Sequence, residues 1–233
     1  MCGRFTLTTT LGTIATRFGV SPFPEEVGHI PRYNIAPTQT VIVVNDDGTR
    51  HLMQMRWGLI PSWAKDPAIG NRMINARAET VATKPAFRAA LRKRRCLIPA
   101  DGFYEWQPVG RRKQPVYIAL KTRAPFGFAG LWESWVSPEG EESRSCTIIT
   151  SEANEPLKPI HGRMPVILTK DAEAVWLDPT VQEPAKLLPL LIPYPAEEME
   201  VYPVSTKVNS PANDGPACIE PVAQKGRQGE FDA

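Results

Sequence analysis

The chain has 233 residues, 42% of them hydrophobic and 22% charged, a balance that excludes a disordered or fibrous protein and leaves one large domain or two small ones. No stretch approaches the ~20 apolar residues of a membrane span, the start MCGRFTLTTTLG lacks the apolar core of a secretory signal, and Cys2, Cys96, Cys146 and Cys218 are too scattered for a zinc CxxC pair or a disulfide scaffold. The net charge of +2 hides an asymmetry, since residues 1–123 carry 19 Lys and Arg against 8 Asp and Glu while the rest carry 8 against 17, so the basic half is a candidate nucleic-acid or membrane contact unless the two halves interleave and neutralise each other.

In chain order, Leu11, Ile14, Ala15 and Phe18 fall at helical spacing behind a threonine run able to cap, and Gly19 closes that helix. TVIVVN and HLMQMRW flank an Asn45-Asp46-Asp47-Gly48 turn and predict a β-hairpin. Pro85 is placed to open a short helix through AFRAALRKRR. RCLIPADGFYEW, QPVYIAL, GFAGLWESW and SCTIITS follow as strands, DAEAVWL and PAKLLPLL as short helices, and MEVYPVS as a late strand. Strands outnumber helices and rarely alternate with long ones. This predicts an α+β protein, a single domain over residues 1–223 on a curved, mostly antiparallel sheet with short flanking helices, and a polar tail at 224–233.

Cys2 stands directly after Met1, and a small second residue favours removal of the methionine, so the expected mature chain begins with Cys2. A terminal cysteine carries a thiol and an α-amine on neighbouring carbons, and that amine has a reference pKa of about 7.7–8.0, which leaves a useful free-base fraction near neutrality. The amine can serve as internal base for the thiol. It can also condense with an aldehyde to an imine, on which the thiol closes a stable thiazolidine ring. Taken alone, an early cysteine reads more plainly as an inert small residue opening a strand.

Of the three histidines, His29 and His51 lie beside turns or in an amphipathic strand, and His161 sits in PIHGRMPVIL, a loop running into an apolar strand where a proton shuttle can be held. Glu105 lies among Phe103, Tyr104 and Trp106. Such surroundings raise a carboxyl toward neutrality if it points inward, and outward exposure on the strand is the plainer alternative. Asn75, Arg77 and Glu79 alternate in INARAET and share one face if that segment is a strand, with an Arg77–Glu79 ion pair as the structural alternative. Arg4, Arg77 and Arg163 each lie within two residues of Cys2, Asn75 or His161. Three arginines around one nucleophile point to an anionic ligand. Trp57 and Trp63 in RWGLIPSW can stack on unpaired bases or fill the core. Arg92-Lys93-Arg94-Arg95 reads as a solvated helix end.

MCGRF, RYNIAPTQ, RWGLIPSW, INARAET, CLIPADGFYEW, FAGLWE, TIITSEAN, IHGRMPVIL and VSTKVNSPANDGP occur in this order from residue 1 to about 216. In these motifs the chain resembles the SRAP family, the SOS response-associated peptidases understood as abasic-site processing proteins. The resemblance implies a mixed α+β, barrel-like fold. It also implies capture of abasic sites in single-stranded DNA through an N-terminal thiazolidine, in the DNA-damage (SOS) response. By motif it implies Cys2 as nucleophile, Asn75 as the group orienting amine and sugar, and Glu105 and His161 as proton carriers. Arg4, Arg77 and Arg163 then hold flanking phosphates, with Pro37, Trp63 and Thr150 along the DNA path. An abasic site lacks its base, so bending it into a pocket costs less unstacking.

Two other functions remain open at this level: a thiol peptidase acting on its own Met1, and a non-covalent single-strand binding module in which Cys2 is incidental. The expected partner is single-stranded DNA bearing abasic sites, met by a cytoplasmic, nucleoid-associated monomer without metal, cofactor or membrane.

Overall fold

The computed structural model describes residues 2–21 and 27–222; the tail expected at 224–233 lies outside them. In chain order the elements are β1 (Phe5–Leu7), α1 (Leu11–Phe18), β2 (Arg32–Ile35), β3 (Thr40–Asp46), β4 (Arg50–Trp57), β5 (Asn75–Arg77), α2 (Arg88–Lys93), β6 (Arg95–Ala100), β7 (Gly102–Val109) and β8 (Arg112–Leu120). They continue with β9 (Phe126–Val136), β10 (Glu142–Glu152), β11 (Arg163–Pro165), β12 (Ile167–Leu168), α3 (Lys170–Leu177), α4 (Pro184–Leu187) and β13 (Met199–Pro203), with short 3-10 turns between several of them. No helix among the described residues is long and apolar enough to cross a membrane.

Local chemistry accounts for most boundaries. Thr10 caps α1 by accepting the Thr13 amide at 3.4 Å, Ile14, Ala15 and Phe18 are buried, and Gly19 ends the helix at φ 66°, a left-handed conformation that costs other residues a Cβ clash. The β3–β4 hairpin forms as predicted but turns one residue late: Asn45 still pairs with His51 and Asp46 with Arg50, and the reversal falls on Asp47–Thr49 around Gly48. The helix expected from Pro85 starts instead at Arg88, because Phe87 takes φ −123° and residues 78–87 form successive turns. In PAKLLPLL the α-helix stops at Leu187 and a 3-10 turn covers Leu188–Leu190, since Pro189 has no amide to continue the ladder. The basic run divides: Arg92 and Lys93 are exposed, while Arg95 is buried and donates to the carbonyls of Leu91, Arg92, Trp176 and Asp178.

Five strands close into a barrel. β4 pairs with β3, β3 with β6, β6 with β9, β9 with β10, and β10 returns to β4 in the one parallel step of the ring. Closure leaves no unpaired edge in the ring. β5 and β11 extend β10 beyond it, the former parallel and the latter antiparallel, and β12 extends β9. A second, antiparallel sheet in the order β13-β8-β7-β1-β2 packs on this barrel. The α+β reading with a curved, mostly antiparallel barrel is therefore borne out. Strands of the basic half (β4, β3, β6) and of the acidic half (β9, β10) close one ring as two contiguous arcs, so both charge halves belong to one fold.

The seam between the sheets is aromatic. Phe5 of β1 meets Trp57 of β4 at 5.2 Å and Phe128 of β9 at 5.8 Å, and Phe128 meets Phe103 at 6.0 Å, mostly edge to face. Trp57 is fully buried and donates to the Ile74 carbonyl at 2.9 Å. Past the end of β1, Thr8 and Thr9 give both their amides and hydroxyls to Asp101, the buried link between β6 and β7. The start of the chain is thus fixed on both flanks.

Candidate functional site

Phe5 pairs with Phe103 in antiparallel register, and the Tyr104 amide donates to the Arg4 carbonyl at 3.0 Å. This register carries Cys2 alongside Glu105 of β7. On its other side β5 approaches, and Asn75 Nδ2 donates to the Cys2 carbonyl at 2.8 Å while its Oδ1, also buried, has no hydrogen-bond partner among the described residues. Cys2 is fully buried. Burial, and after it the negative charge of Glu105, push its thiol far above the ordinary cysteine range, so the group rests as a neutral thiol. Burial likewise raises the Glu105 carboxyl, and the field of His161 acts in the opposite sense. Glu105 points inward, not to solvent.

His161 ends the turn before β11. Its Nδ1 lies 3.0 Å from the Arg163 amide and 3.2 Å from the Arg163 carbonyl. Cys2, Asn75, Glu105 and His161 therefore meet at one place, drawn from the chain start, β5, β7 and the approach to β11.

The residues expected along a ligand path are placed less uniformly. β10 runs between β5 and β11, with Thr150 opposite both Arg77 and Pro165. Arg77 is exposed. Thr150 is buried, and Arg163 Nη2 donates to its carbonyl at 2.5 Å. The Arg163 guanidinium is engaged by Glu79 through two bonds, Nη1 to Oε1 at 2.6 Å and Nη2 to Oε2 at 3.0 Å. Glu79 lies in the turn after β5, not on the Asn75–Arg77 strand, and its partner is Arg163 instead of Arg77. That fork holds the Glu79 carboxyl below the usual range, with Arg77 a lesser contributor.

Arg4 departs furthest from a phosphate ligand. Its Nη1 donates to Asn34 Oδ1 and to the Val208 carbonyl, both at 2.8 Å, and its Nη2 to the Asn209 carbonyl at 3.3 Å, with the guanidinium 5.9 Å from the Trp106 ring. Asn34, fully buried, donates in turn to the carbonyls of Val208, Ser210 and Asn213. Sequence reasoning missed this anchor; the VNSPAND carbonyls that form it carry no side-chain signature. Pro37 sits in the tight turn before β3, beside Thr38 at φ 73°. The two tryptophans of RWGLIPSW separate, Trp57 into the core and Trp63 to the surface at 58% exposure. No group of three or more His, Cys, Asp or Glu side chains able to hold a metal ion occurs among the described residues.

Comparison with known proteins places this geometry among relatives. A family model described as SOS response associated peptidase (SRAP) matches residues 1–211. The abasic site processing protein YoqW of Bacillus subtilis is 50% identical, over 94% of this chain and 99% of its own length. The abasic site processing protein HMCES of Xenopus tropicalis is 36% identical, over 85% of this chain and 68% of its own. A crystal structure of a Bacteroides thetaiotaomicron protein, 28% identical, superposes with a TM-score of 0.84 and covers 95% of this chain and 100% of that one.

Proposed function

The chain belongs to the SRAP family, and from that membership we propose that it senses abasic sites in single-stranded DNA and captures them covalently on Cys2 as part of the response to DNA damage. The observation that carries the reading is the convergence on Cys2 of the Asn75 amide and the Glu105 carboxyl, with His161 beside them.

Release of Met1 gives Cys2 a free α-amine. The ring-opened abasic sugar presents an aldehyde at C1′. The amine lone pair attacks this carbon, a proton passes to the oxygen, and loss of water leaves an imine. The thiol then adds across the C=N bond, its proton moving to the former amine nitrogen, and a thiazolidine results. The balance is aldehyde plus aminothiol giving thiazolidine plus water, with no change of oxidation state and no cofactor required. Glu105, raised by burial, is a carboxylic acid able to protonate the departing hydroxyl and, once ionised, to accept the thiol proton. His161 assists opening of the sugar ring. Asn75 fixes the Cys2 carbonyl and so the direction of the amine. Lyase-like character enters at the imine, from which strand elimination departs; ring closure consumes that intermediate.

Arg77 and Arg163 are the arginines we assign to phosphates, Trp63 to a stacked base and Pro37 to the wall beside it. Thr150 acts through Arg163, and Arg4 anchors the segment that carries Cys2. The same thiol follows the Met1–Cys2 bond directly, so peptidase action in this chain is self-processing at that bond. We assign the SRAP domain to residues 1–223 of the sequence, acting as a monomer.

The test uses a uracil-containing oligonucleotide converted by uracil-DNA glycosylase, mixed with protein whose N-terminus is verified by mass spectrometry, and read on a denaturing gel. A heat-stable shifted band that disappears in Cys2→Ala is expected. Its absence from Met1-free protein overturns the proposal.

A further inference from the structure

The surface arginines beside the site are not equivalent. The Arg163 side chain is 19% exposed and faces a partner that is 50% exposed, the Glu79 carboxylate, through a two-pronged fork. A carboxylate and a phosphodiester each offer two oxygens to such a fork, which is why arginine binds both bidentately. Glu79 is carried on the turn following β5, whose Ala78 amide is tied to the Thr150 carbonyl at 2.9 Å. The carboxylate is therefore delivered to Arg163 by the same short segment that presents Asn75 to Cys2 and Arg77 to solvent. The Glu79 side of the pair is half open to solvent, so an incoming anion of equal charge can reach the fork and exchange with the carboxylate.

Resting on the reading of a DNA-capturing site, we propose that Glu79 is a resident stand-in for phosphate on Arg163, displaced when a strand docks. In the unliganded protein it neutralises one arginine of the interface and offsets the charge of Arg77, which weakens adhesion to intact single strands. A strand that seats fully replaces the carboxylate with its own phosphate and leaves Glu79 to solvent. The competing possibility is that Glu79 acts only as a strut that aims Arg163.

The two differ in sign. Binding of a fluorescein-labelled undamaged oligothymidylate is measured by anisotropy across a salt series for the parent, Glu79→Gln, Glu79→Ala, Arg163→Ala and the Glu79→Gln/Arg163→Ala pair, each checked for folding by thermal melting. The stand-in predicts that both Glu79 variants bind about five-fold tighter at low salt, the factor for breaking one exposed ion pair. It also predicts that their log–log salt slope steepens by up to about 0.7, one further single-strand phosphate contact without compensating release of a carboxylate. In the Arg163→Ala background most of that gain vanishes. Unchanged or weaker binding in both Glu79 variants overturns the inference while leaving the capture reading intact. A parent protein that neither binds the strand nor crosslinks an abasic site overturns both.

Discussion

Glu105 is a carboxyl that the fold would hold more easily without its charge. Burial raises it in the folded state, so the folded protein retains a proton that the unfolded chain has already released, and stability falls as pH rises through the folded value. Glu105→Gln removes the titration. Between pH 4 and pH 8 the melting temperature of the parent should fall relative to that of Glu105→Gln, by about 2–4 °C for each kcal/mol of linkage, while crosslinking by the variant drops at least on the order of 100-fold, the usual share of a general acid–base group. Differential scanning calorimetry at both pH values and a timed gel assay check the two halves; a variant less stable than the parent at pH 8 would contradict the assignment. Asn75 contributes differently. Its amide donates to the Cys2 carbonyl, and a net hydrogen bond is about 1 kcal/mol. Asn75→Ala should therefore melt only about 2–4 °C lower yet crosslink far more slowly, because the amine loses its bearing and not its fold.

At the level of elements, the site depends on close approach between β7 and β8. A Cβ on Gly102 would come within 2.1 Å of the Tyr117 ring, while Tyr117 shares its hydroxyl with Thr6 of β1 at 2.8 Å. Gly102→Ala must push β7 from β8 or swing Tyr117 away, and either motion disturbs the register that sets Glu105 beside Cys2. We expect a loss of at least about 2 kcal/mol in urea unfolding, in the range of overpacked cores, together with loss of crosslinking. Native crosslinking in that variant would show that the register is not what aligns the two groups. This scale also marks what can be read from sequence. The hairpin turned on its Asp-Gly signal and α1 on its threonine cap and Gly19, since both are governed by residues a few positions apart. Pro85 misled because its helix start was decided by the Phe87 backbone within a packed turn. Cys2, Asn75, Glu105 and His161 were legible as motifs, but the Glu79–Arg163 pair was not: it exists only because β10 accepts β5 on one side and β11 on the other, a non-local pairing with no trace in INARAET. The carbonyl cage around Arg4 was illegible for the same reason.

The whole molecule is nearly neutral, at +2, so its attraction for DNA rests on local arrangement and not on net charge. Arg77 and Arg163 come from opposite halves and are brought to either side of β10. If each meets one phosphate, Arg77→Ala should flatten the salt dependence of single-strand binding by about 0.7 in log–log slope and Arg163→Ala by less, because Glu79 leaves that arginine as the phosphate arrives, while a charge reversal elsewhere, such as Lys186→Glu, should leave it unaltered. Anisotropy titrations between low and physiological salt decide this, and an equal response to the distant change would mean that steering is diffuse. The closed barrel and the sheet packed on it also enclose Cys2 completely. A protein that forms a covalent adduct with its target is used once per molecule, so its reactive sulfur must survive the wait. Peroxide and alkylating agents attack thiolates, and a buried thiol held in its neutral form is a poor target. If Cys2 captures an aldehyde as proposed, the enclosure that makes it look like an ordinary core cysteine also slows its loss to oxidation and alkylation.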